Sequence, residues 1–386
     1  MRAVALLLVA ALVLAGCAGA DDDGPETPAS SAYRVVPTCP EGPRRLDGLT
    51  VDLLNEVVAS ADLPAWQAGD IGASVRLDDD RVAWVFGDTI RSDDLSPRMV
   101  ANSMLVSSGT CVAQVRTPDD GPVIPDVREG VVRWPMSIVS MRPIDDGLMA
   151  EHPEVSEILV VFCARTRRGT ASNLDYTFLG TDAAVFTLTP DGAPQLFEIL
   201  EISPDDDAVD QVNWGAAAAV HGRWFYMFGT RQTGRDFGRE LYVGRAPVAD
   251  PTDRSRWEFW DGTSWGGAMD EAAAVLPAQG GVSQTLSVDR VDGTWVAVSK
   301  RDGDLGDFVY VWTAAAPYGP WTPRRGVAAP AGFDTGNLQY APLAHPEVPL
   351  ADGNLLVSIS RNTTDPDRLL DDPEAGRPVF VEVERP

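Results

Sequence analysis

From residue 66 onward the chain repeats one pattern. An apolar or small-residue run leads into a polar turn and a strongly apolar run. One or two further β-rich runs follow before a polar loop. The first unit passes from Asp70-Ile-Gly-Ala-Ser-Val through Val82-Ala-Trp-Val-Phe-Gly-Asp88 to Ser103-Met-Leu-Val. The second holds Trp134-Pro-Met-Ser-Ile-Val, Ile158-Leu-Val-Val-Phe-Cys163, Tyr176-Thr-Phe-Leu-Gly180 and Ala184-Val-Phe-Thr-Leu188. The third has Asn213-Trp-Gly-Ala-Ala, Trp224-Phe-Tyr-Met-Phe-Gly-Thr230, Leu241-Tyr-Val-Gly and Trp257-Glu-Phe-Trp260. Val282-Ser-Gln-Thr-Leu-Ser-Val288, Trp295-Val-Ala-Val-Ser and Phe308-Val-Tyr-Val-Trp312 make the fourth. Tyr340-Ala-Pro-Leu, Asn354-Leu-Leu-Val-Ser and Val379-Phe-Val-Glu-Val383 make the fifth.

Short β-branched and aromatic runs bounded by Gly, Pro and Asp read as strands. About four strands per unit at a period of roughly 40–50 residues predicts propeller blades. The expected fold is therefore all-β, a five-bladed β-propeller over residues 34–386. A β-sandwich would not echo itself, whereas Trp84-Val-Phe-Gly-Asp88 and Tyr226-Met-Phe-Gly-Thr230 align residue for residue. Small residues at Gly72-Ala73 and Gly215-Ala216 suit an innermost strand, where blades crowd the axis. Residues 46–61 instead carry apolar positions at helical spacing, which fits a short helix beside the first blade or a strand closing the last.

The first hairpin carries candidate chemistry. Its turn is Leu77-Asp-Asp-Asp-Arg81, and a three-residue loop would set Asp70 directly opposite Asp88 at the open end. Opposed Cβ atoms lie ~4.5–5.5 Å apart. Two like charges that close repel, and one pKa rises, a cost that serves acid–base work. The third unit has uncharged Asn213 and Thr230 at the matching positions. Trp134, Trp214 and Tyr340 stand near the starts of inner strands, as sugar-stacking rings or as wedges between blades. Asn213, Arg231 and His345 join them as candidate substrate-binding residues, with Glu347 nearby.

Charge narrows the partners. Fifty-seven acidic against 31 basic residues leave a net charge of −26, which disfavours nucleic acid. Lys300 is the sole lysine, and this reads as codon bias. The N-terminus reads as an address: Met1-Arg2, an apolar run over residues 3–14, then Leu14-Ala-Gly-Cys17, a lipobox-like sequence. Residues 1–16 are expected to be a lipoprotein signal peptide, with lipid on Cys17 and a flexible tether over 17–33. That places the mature chain, expected to be a monomer, at the outer face of a membrane. In an oxidising compartment one disulfide among Cys39, Cys111 and Cys163 is plausible, and the sequence does not choose the pair. No cofactor or metal is expected. Asp302-Gly-Asp304-Leu-Gly-Asp307 alternates acids without the full spacing of a calcium loop, and Asn362-Thr-Thr364 is a glycosylation sequon only in a host that uses it.

Gly69-Asp70-Ile-Gly, Trp84-Val-Phe-Gly-Asp-Thr89, Val212-Asn-Trp-Gly-Ala-Ala217, Trp312-Thr-Ala-Ala-Ala-Pro-Tyr-Gly-Pro-Trp321, and Tyr340 with His345-Pro-Glu347, occur in an order that resembles the domain of unknown function 4185 group. Members of that group are five-bladed propellers found in bacterial lipoproteins. Some form glycoside hydrolase family 183, endo-D-arabinanases that cut cell-wall arabinan. The resemblance implies a surface-anchored hydrolase of a furanoside polysaccharide, with Asp70 and Asp88 as catalytic carboxylates and Asp210 as the candidate third acid. The alternative is a non-catalytic propeller that binds a glycan or a protein.

Overall fold

The apolar runs pair into five antiparallel sheets arranged as the blades of a β-propeller. The computed structural model describes residues 32–39, 48–142, 151–170, 175–234 and 236–386. Cys17, the signal sequence and the tether up to residue 31 lie outside the described residues.

Blade one is built on Ala68–Arg76, Val82–Ile90, Ser103–Ser108 and Cys111–Arg116, with Arg34–Val36 added at its outer edge. Blade two comprises Val131–Met141, Glu157–Arg168, Tyr176–Leu188 and Gln195–Glu201. Blade three runs from Val212–His221 through Trp224–Gln232 and Arg239–Pro247 to Glu258–Trp260 and Trp265–Gly266. Ser287–Val291, Thr294–Lys300, Phe308–Ala314 and Thr322–Ala328 form blade four. Asn337–Ala344, Leu355–Thr363 and Val379–Val383 form blade five.

The second strand of each blade is mostly apolar because both its faces are largely buried. Side chains alternate across a strand. In Val82–Ile90, Trp84 and Phe86 therefore enter the seam with blade five, against Leu356 and Phe380. Ala83 and Val85 enter the seam with blade two, against Val161 and Phe186. Phe162 and Phe225 meet between blades two and three. Phe228 and Trp295 meet between three and four, and Val311 and Val357 between four and five. The core is thus a ring of seams. Gly215 shows how closely the blades approach: a Cβ there would lie 2.6 Å from Phe162, and its φ of +82° suits glycine.

Several boundaries differ from the sequence reading. Tyr176–Leu188 is one strand, not two, because the charge in its middle is neutralised: Asp182 pairs with Arg165 and, at 2.7 Å, with Arg133. Blade two's outer strand is Gln195–Glu201 instead. Blade four's innermost strand starts at Ser287, since Val282 is bridged to Arg239 of blade three. Its outer strand, Thr322–Ala328, is largely exposed and carries no apolar signal.

Residues 46–61 contain the helix Val51–Ala59, capped by Thr50, whose hydroxyl accepts from the Leu53 amide at 3.2 Å. Leu54 packs with Leu350 and Phe380. The Asn55 side chain both donates to the Phe380 carbonyl (2.9 Å) and accepts from its amide (2.8 Å). The helix therefore covers the edge strand of the three-stranded fifth blade, where another blade has a fourth strand. Cys39 and Cys111 form the disulfide and Cys163 is the buried free thiol among the described residues.

Candidate functional site

The turn of the first hairpin has the expected three-residue loop, with the Leu77 amide donating to the Arg81 carbonyl at 2.8 Å. The pairing Gly69↔Thr89 at the open end and Ala73↔Val85 below also match that register. Between them the strand bulges, so that Ile71 pairs with Phe86 and Asp70 faces the Gly87-Asp88 step. Asp70 and Asp88 thus meet through a bulge and not as a regular cross-strand pair. Ile71 sits at φ +67°, a conformation a β-branched residue rarely adopts, and its amide is held by Ser360 Oγ at 2.9 Å. Gly87 leaves room for the carboxylate: a Cβ there would stand 2.3 Å from Asp70 Oδ1. Bulges recur between Pro135 and Ser137, Trp214 and Ala217, and Tyr340 and Leu343, which re-aims the mouth ends of these inner strands.

Each carboxylate has distinct partners. Tyr340 Oη donates to Asp70 Oδ2 at 2.7 Å and accepts from Asn362 Nδ2 at 3.3 Å. Asp88 Oδ1 accepts from Trp134 Nε1 at 2.7 Å, and Arg168 clasps both Asp88 oxygens, reaching Oδ2 at 3.0 Å. Burial, then the charge of Asp88, pushes the Asp70 carboxyl up to about 7, against the opposing pull of Tyr340 and Arg168. Burial also raises Asp88, although Arg168 and Trp134 favour its anion. The outcome is one carboxyl poised to hold a proton near neutrality and one carboxylate that accepts three hydrogen bonds. Asp126 is a further acid here, raised by burial and by Asp88, with Arg168 and Arg133 opposing.

The wall continues into blade two. Arg168 lies over the Trp134 ring at 5.4 Å, and Tyr176 meets Trp134 edge-on at 5.2 Å. Tyr176 Oη donates to Gln284 Oε1 at 3.2 Å, and Arg239 donates to the same oxygen at 3.0 Å. Trp134 and Tyr340, both half-buried, therefore stand beside the acids.

Other expected residues stand elsewhere. Trp214 is 2% exposed and packs on Phe259 at 4.9 Å, so it is a wedge in the seam between blades two and three. His345 is fully buried toward the other end of the channel, bonded to Ser74 (2.5 Å) and Ser358 (2.7 Å). Ser74 lies four residues down the strand from Asp70, at most about 13 Å along it at ~3.3 Å per residue. Glu347 belongs to that lower cluster, accepting from Ser74. Arg231 is paired with Glu240 (2.7 Å) over the Tyr242 ring. Asn213 is 1% exposed, and its side-chain amide has no hydrogen-bond partner among the described residues. Asp210 is exposed in the turn before Val212–His221, and no hydrogen bond or ion pair joins it to Asp70 or Asp88.

Sequence reasoning missed Arg168 and Arg239, which lie outside the repeated motifs, and Tyr176 and Gln284, which lie within them but were not singled out. A signal for Arg168 exists, since Arg165, Arg167 and Arg168 crowd the mouth end of an apolar strand. Asn362, flagged as a sequon, instead supports Tyr340. The acids of the 302–307 loop bind backbone: Asp302 accepts from the Gly280 amide (2.6 Å), and Asp304 from the Ala341 amide (3.3 Å). Among the described residues no group of three or more His, Cys, Asp or Glu is arranged to hold a metal.

No curated protein matches the chain. Among solved structures it is similar to a Bacteroides ovatus protein described as a candidate hydrolase, with a TM-score of 0.64 at 15% identity, covering 91% of this chain and 93% of that one. It is also similar, with a TM-score of 0.47 at 11% identity, to a glycoside hydrolase family 43 arabinoxylan arabinofuranohydrolase from Bacillus subtilis, covering 83% of this chain and 64% of that one. The former likeness supports the propeller fold. The motifs alone point to the domain of unknown function 4185 group, whereas the family model that matches, over residues 60–385, is Domain of unknown function (DUF5005), and the chain belongs to that family.

Proposed function

We propose that the protein is a glycoside hydrolase that cuts a furanoside polysaccharide, with an endo-D-arabinanase-type action on cell-wall arabinan, and that it works at the outer face of a membrane, lipid-anchored through Cys17. The observation that carries the reading is the mouth pair: Asp70, raised to about 7, beside Asp88, which burial raises and whose anion Arg168 and Trp134 favour in opposition. Glycosidic cleavage needs a carboxylic acid that keeps its proton near neutral pH and can give it to the leaving oxygen. Asp70 fills that role. Asp88 acts on it through space, since its negative charge is part of what keeps Asp70 protonated.

The surrounding groups suit a sugar. Trp134 and Tyr176 present aromatic surface beside Asp88, and Gln284, Arg239 and Asn362 supply hydrogen-bonding groups. The Bacteroides ovatus neighbour, described as a candidate hydrolase, shares the fold over most of both chains. Incubation with purified arabinogalactan, and with pyranose polymers in parallel, followed by chromatography and mass analysis of the products, tests the reading. Arabinofuranosyl oligosaccharides are expected from the first and nothing from the second. Glycan retention without any product would replace the hydrolase with a binding propeller. Cys17→Ala should release the protein from membranes or leave its signal sequence uncleaved; unchanged membrane fractionation with normal processing would contradict the anchor.

A further inference from the structure

An acid at the mouth completes only half of a hydrolysis, because a water must also be activated. Asp88 is badly placed to do it. Its Oδ1 already accepts from Trp134 and Arg168, and its Oδ2 from Arg168. A carboxylate on the same mouth with fewer donors is the better candidate for the base.

Asp304 meets that description. It lies in the 301–307 loop, which follows Thr294–Lys300 at the mouth end of blade four, across the axis from blade one. Its Oδ1 accepts from the Ala341 amide at 3.3 Å, one residue along from Tyr340, whose hydroxyl holds Asp70. Its Oδ2 has only a long contact, 3.5 Å, from the Gln284 amide. Burial raises the Tyr176 hydroxyl most, with Arg239 opposing, and the charges of Asp304 and Asp70 add to the rise, so both acids lie within electrostatic reach of that hydroxyl.

The sole lysine of the chain supports this loop. Lys300 is fully buried, and its ammonium donates to the carbonyls of Asp304 (3.2 Å) and Gln339 (2.5 Å). One cation therefore ties the backbone of Asp304 to the strand that carries Tyr340. An arginine, the basic residue used everywhere else in the chain, has a planar fork that would not fit the point-like role of an ammonium here.

We propose that Asp304 is the second catalytic carboxylate, the base that activates water opposite Asp70, and that Lys300 is its positioning residue. This rests on the glycosidase reading above and assigns its missing half. In the step, Asp304 takes a proton from water, whose oxygen bonds to the anomeric carbon. The glycosidic C–O bond breaks, and its oxygen takes the proton of Asp70. Asp304 ends protonated and Asp70 ionised, and exchange with solvent restores both. One water is consumed and the anomeric configuration inverts, which requires the two carboxyls to stand roughly 6.5–9.5 Å apart across the bound sugar.

The test compares wild type, Asp304→Asn, Asp304→Glu and Lys300→Met on soluble arabinan, with and without sodium azide, and follows the product anomer by proton NMR. Asp304→Asn should lower kcat by ~10²–10⁴-fold with little change in KM or Tm. Azide should restore turnover and yield a glycosyl azide of inverted configuration, which a merely structural role for Asp304 would not produce. Asp304→Glu should keep more activity than Asp304→Asn, and Lys300→Met should fall between wild type and Asp304→Asn. Asp304→Asn within about threefold of an active wild type, loss of activity without azide rescue, or retention of configuration by the wild type would each overturn the assignment while leaving the glycosidase reading intact. A wild type that releases no sugar from any furanoside polymer would overturn the reading beneath it.

Discussion

Tyr340 of blade five donates its phenolic hydrogen to Asp70 of blade one at 2.7 Å, so the candidate acid is held across the seam where the propeller closes. That bond favours the Asp70 anion, whereas burial and the charge of Asp88 favour the acid. Two substitutions should therefore move the same group in opposite directions. With Asp70 as proton donor, activity is present below about 7 and is lost as pH rises through it. Tyr340→Phe should carry this alkaline limb upward by about one to two units, since hydrogen bonds to charged groups contribute ~1.5–3 kcal/mol, and Asp88→Asn, which removes a like charge, should carry it downward. A pH profile of kcat/KM for the three proteins checks the signs. Shifts in the same direction would contradict the roles given to Tyr340 and Asp88.

Proton linkage adds a stability effect. The folded state binds the Asp70 proton more tightly than the unfolded chain does, so Asp70 makes the fold less stable as pH rises from about 4 toward 7. Asp70→Asn should flatten that part of the pH dependence of Tm, and an unchanged curve would mean the carboxyl is not raised.

Gly87 tests geometry without touching a titratable group. An added Cβ would stand 2.3 Å from Asp70 Oδ1, so the carboxylate must move. Gly87→Ala should cost on the order of 10²-fold in kcat, the scale of a misplacement of about 1 Å. The measurement is kcat alongside the near-UV circular dichroism of the folded protein. Full activity would show that Asp70 does not need this position.

Two tryptophans at similar places in the repeat should behave differently. Trp214 is a buried wedge, so Trp214→Ala should destabilise by ~3–5 kcal/mol in urea unfolding. Trp134 is half-buried beside Asp88, so Trp134→Ala should raise KM for arabinan and disturb stability less. Equal stability losses would place Trp134 in the packing and not in the site.

The disulfide joins Cys39, just beyond Arg34–Val36, to Cys111 at the start of Cys111–Arg116 in blade one, across a separation of 72 residues. Loop closure of that length corresponds to about 4 kcal/mol in the chain-entropy description. Cys39→Ser should lower Tm markedly, while the buried Cys163 should react with a thiol reagent only after unfolding. Rapid labelling of Cys163 in the native protein would contradict its burial.

These predictions separate what the sequence carries from what it does not. The five blades were legible because a strand buried on both faces must be apolar, and the hairpin turn fixed which end Asp70 and Asp88 share. The bulge at Ile71 was not legible, since a positive φ at isoleucine defies local propensity and is held from outside by Ser360. Thr322–Ala328 was missed because a polar outer strand leaves no periodic signal. Trp214 and Trp134 look alike in the repeat, and only the tertiary seam, with Phe259 on one and Asp88 against the other, tells wedge from site. Arg168 reaches Asp88 from blade two, a juxtaposition that no spacing along the chain encodes.

The most direct test of the account is the release of reducing ends from arabinan by wild type and Asp70→Asn measured side by side at pH 6. The wild type should release them steadily, and Asp70→Asn should be slower by ~10²–10⁴-fold at an unchanged fold. Equal rates in the two proteins, or no release by the wild type, would contradict the assignment of Asp70 as the proton donor of a glycosidase.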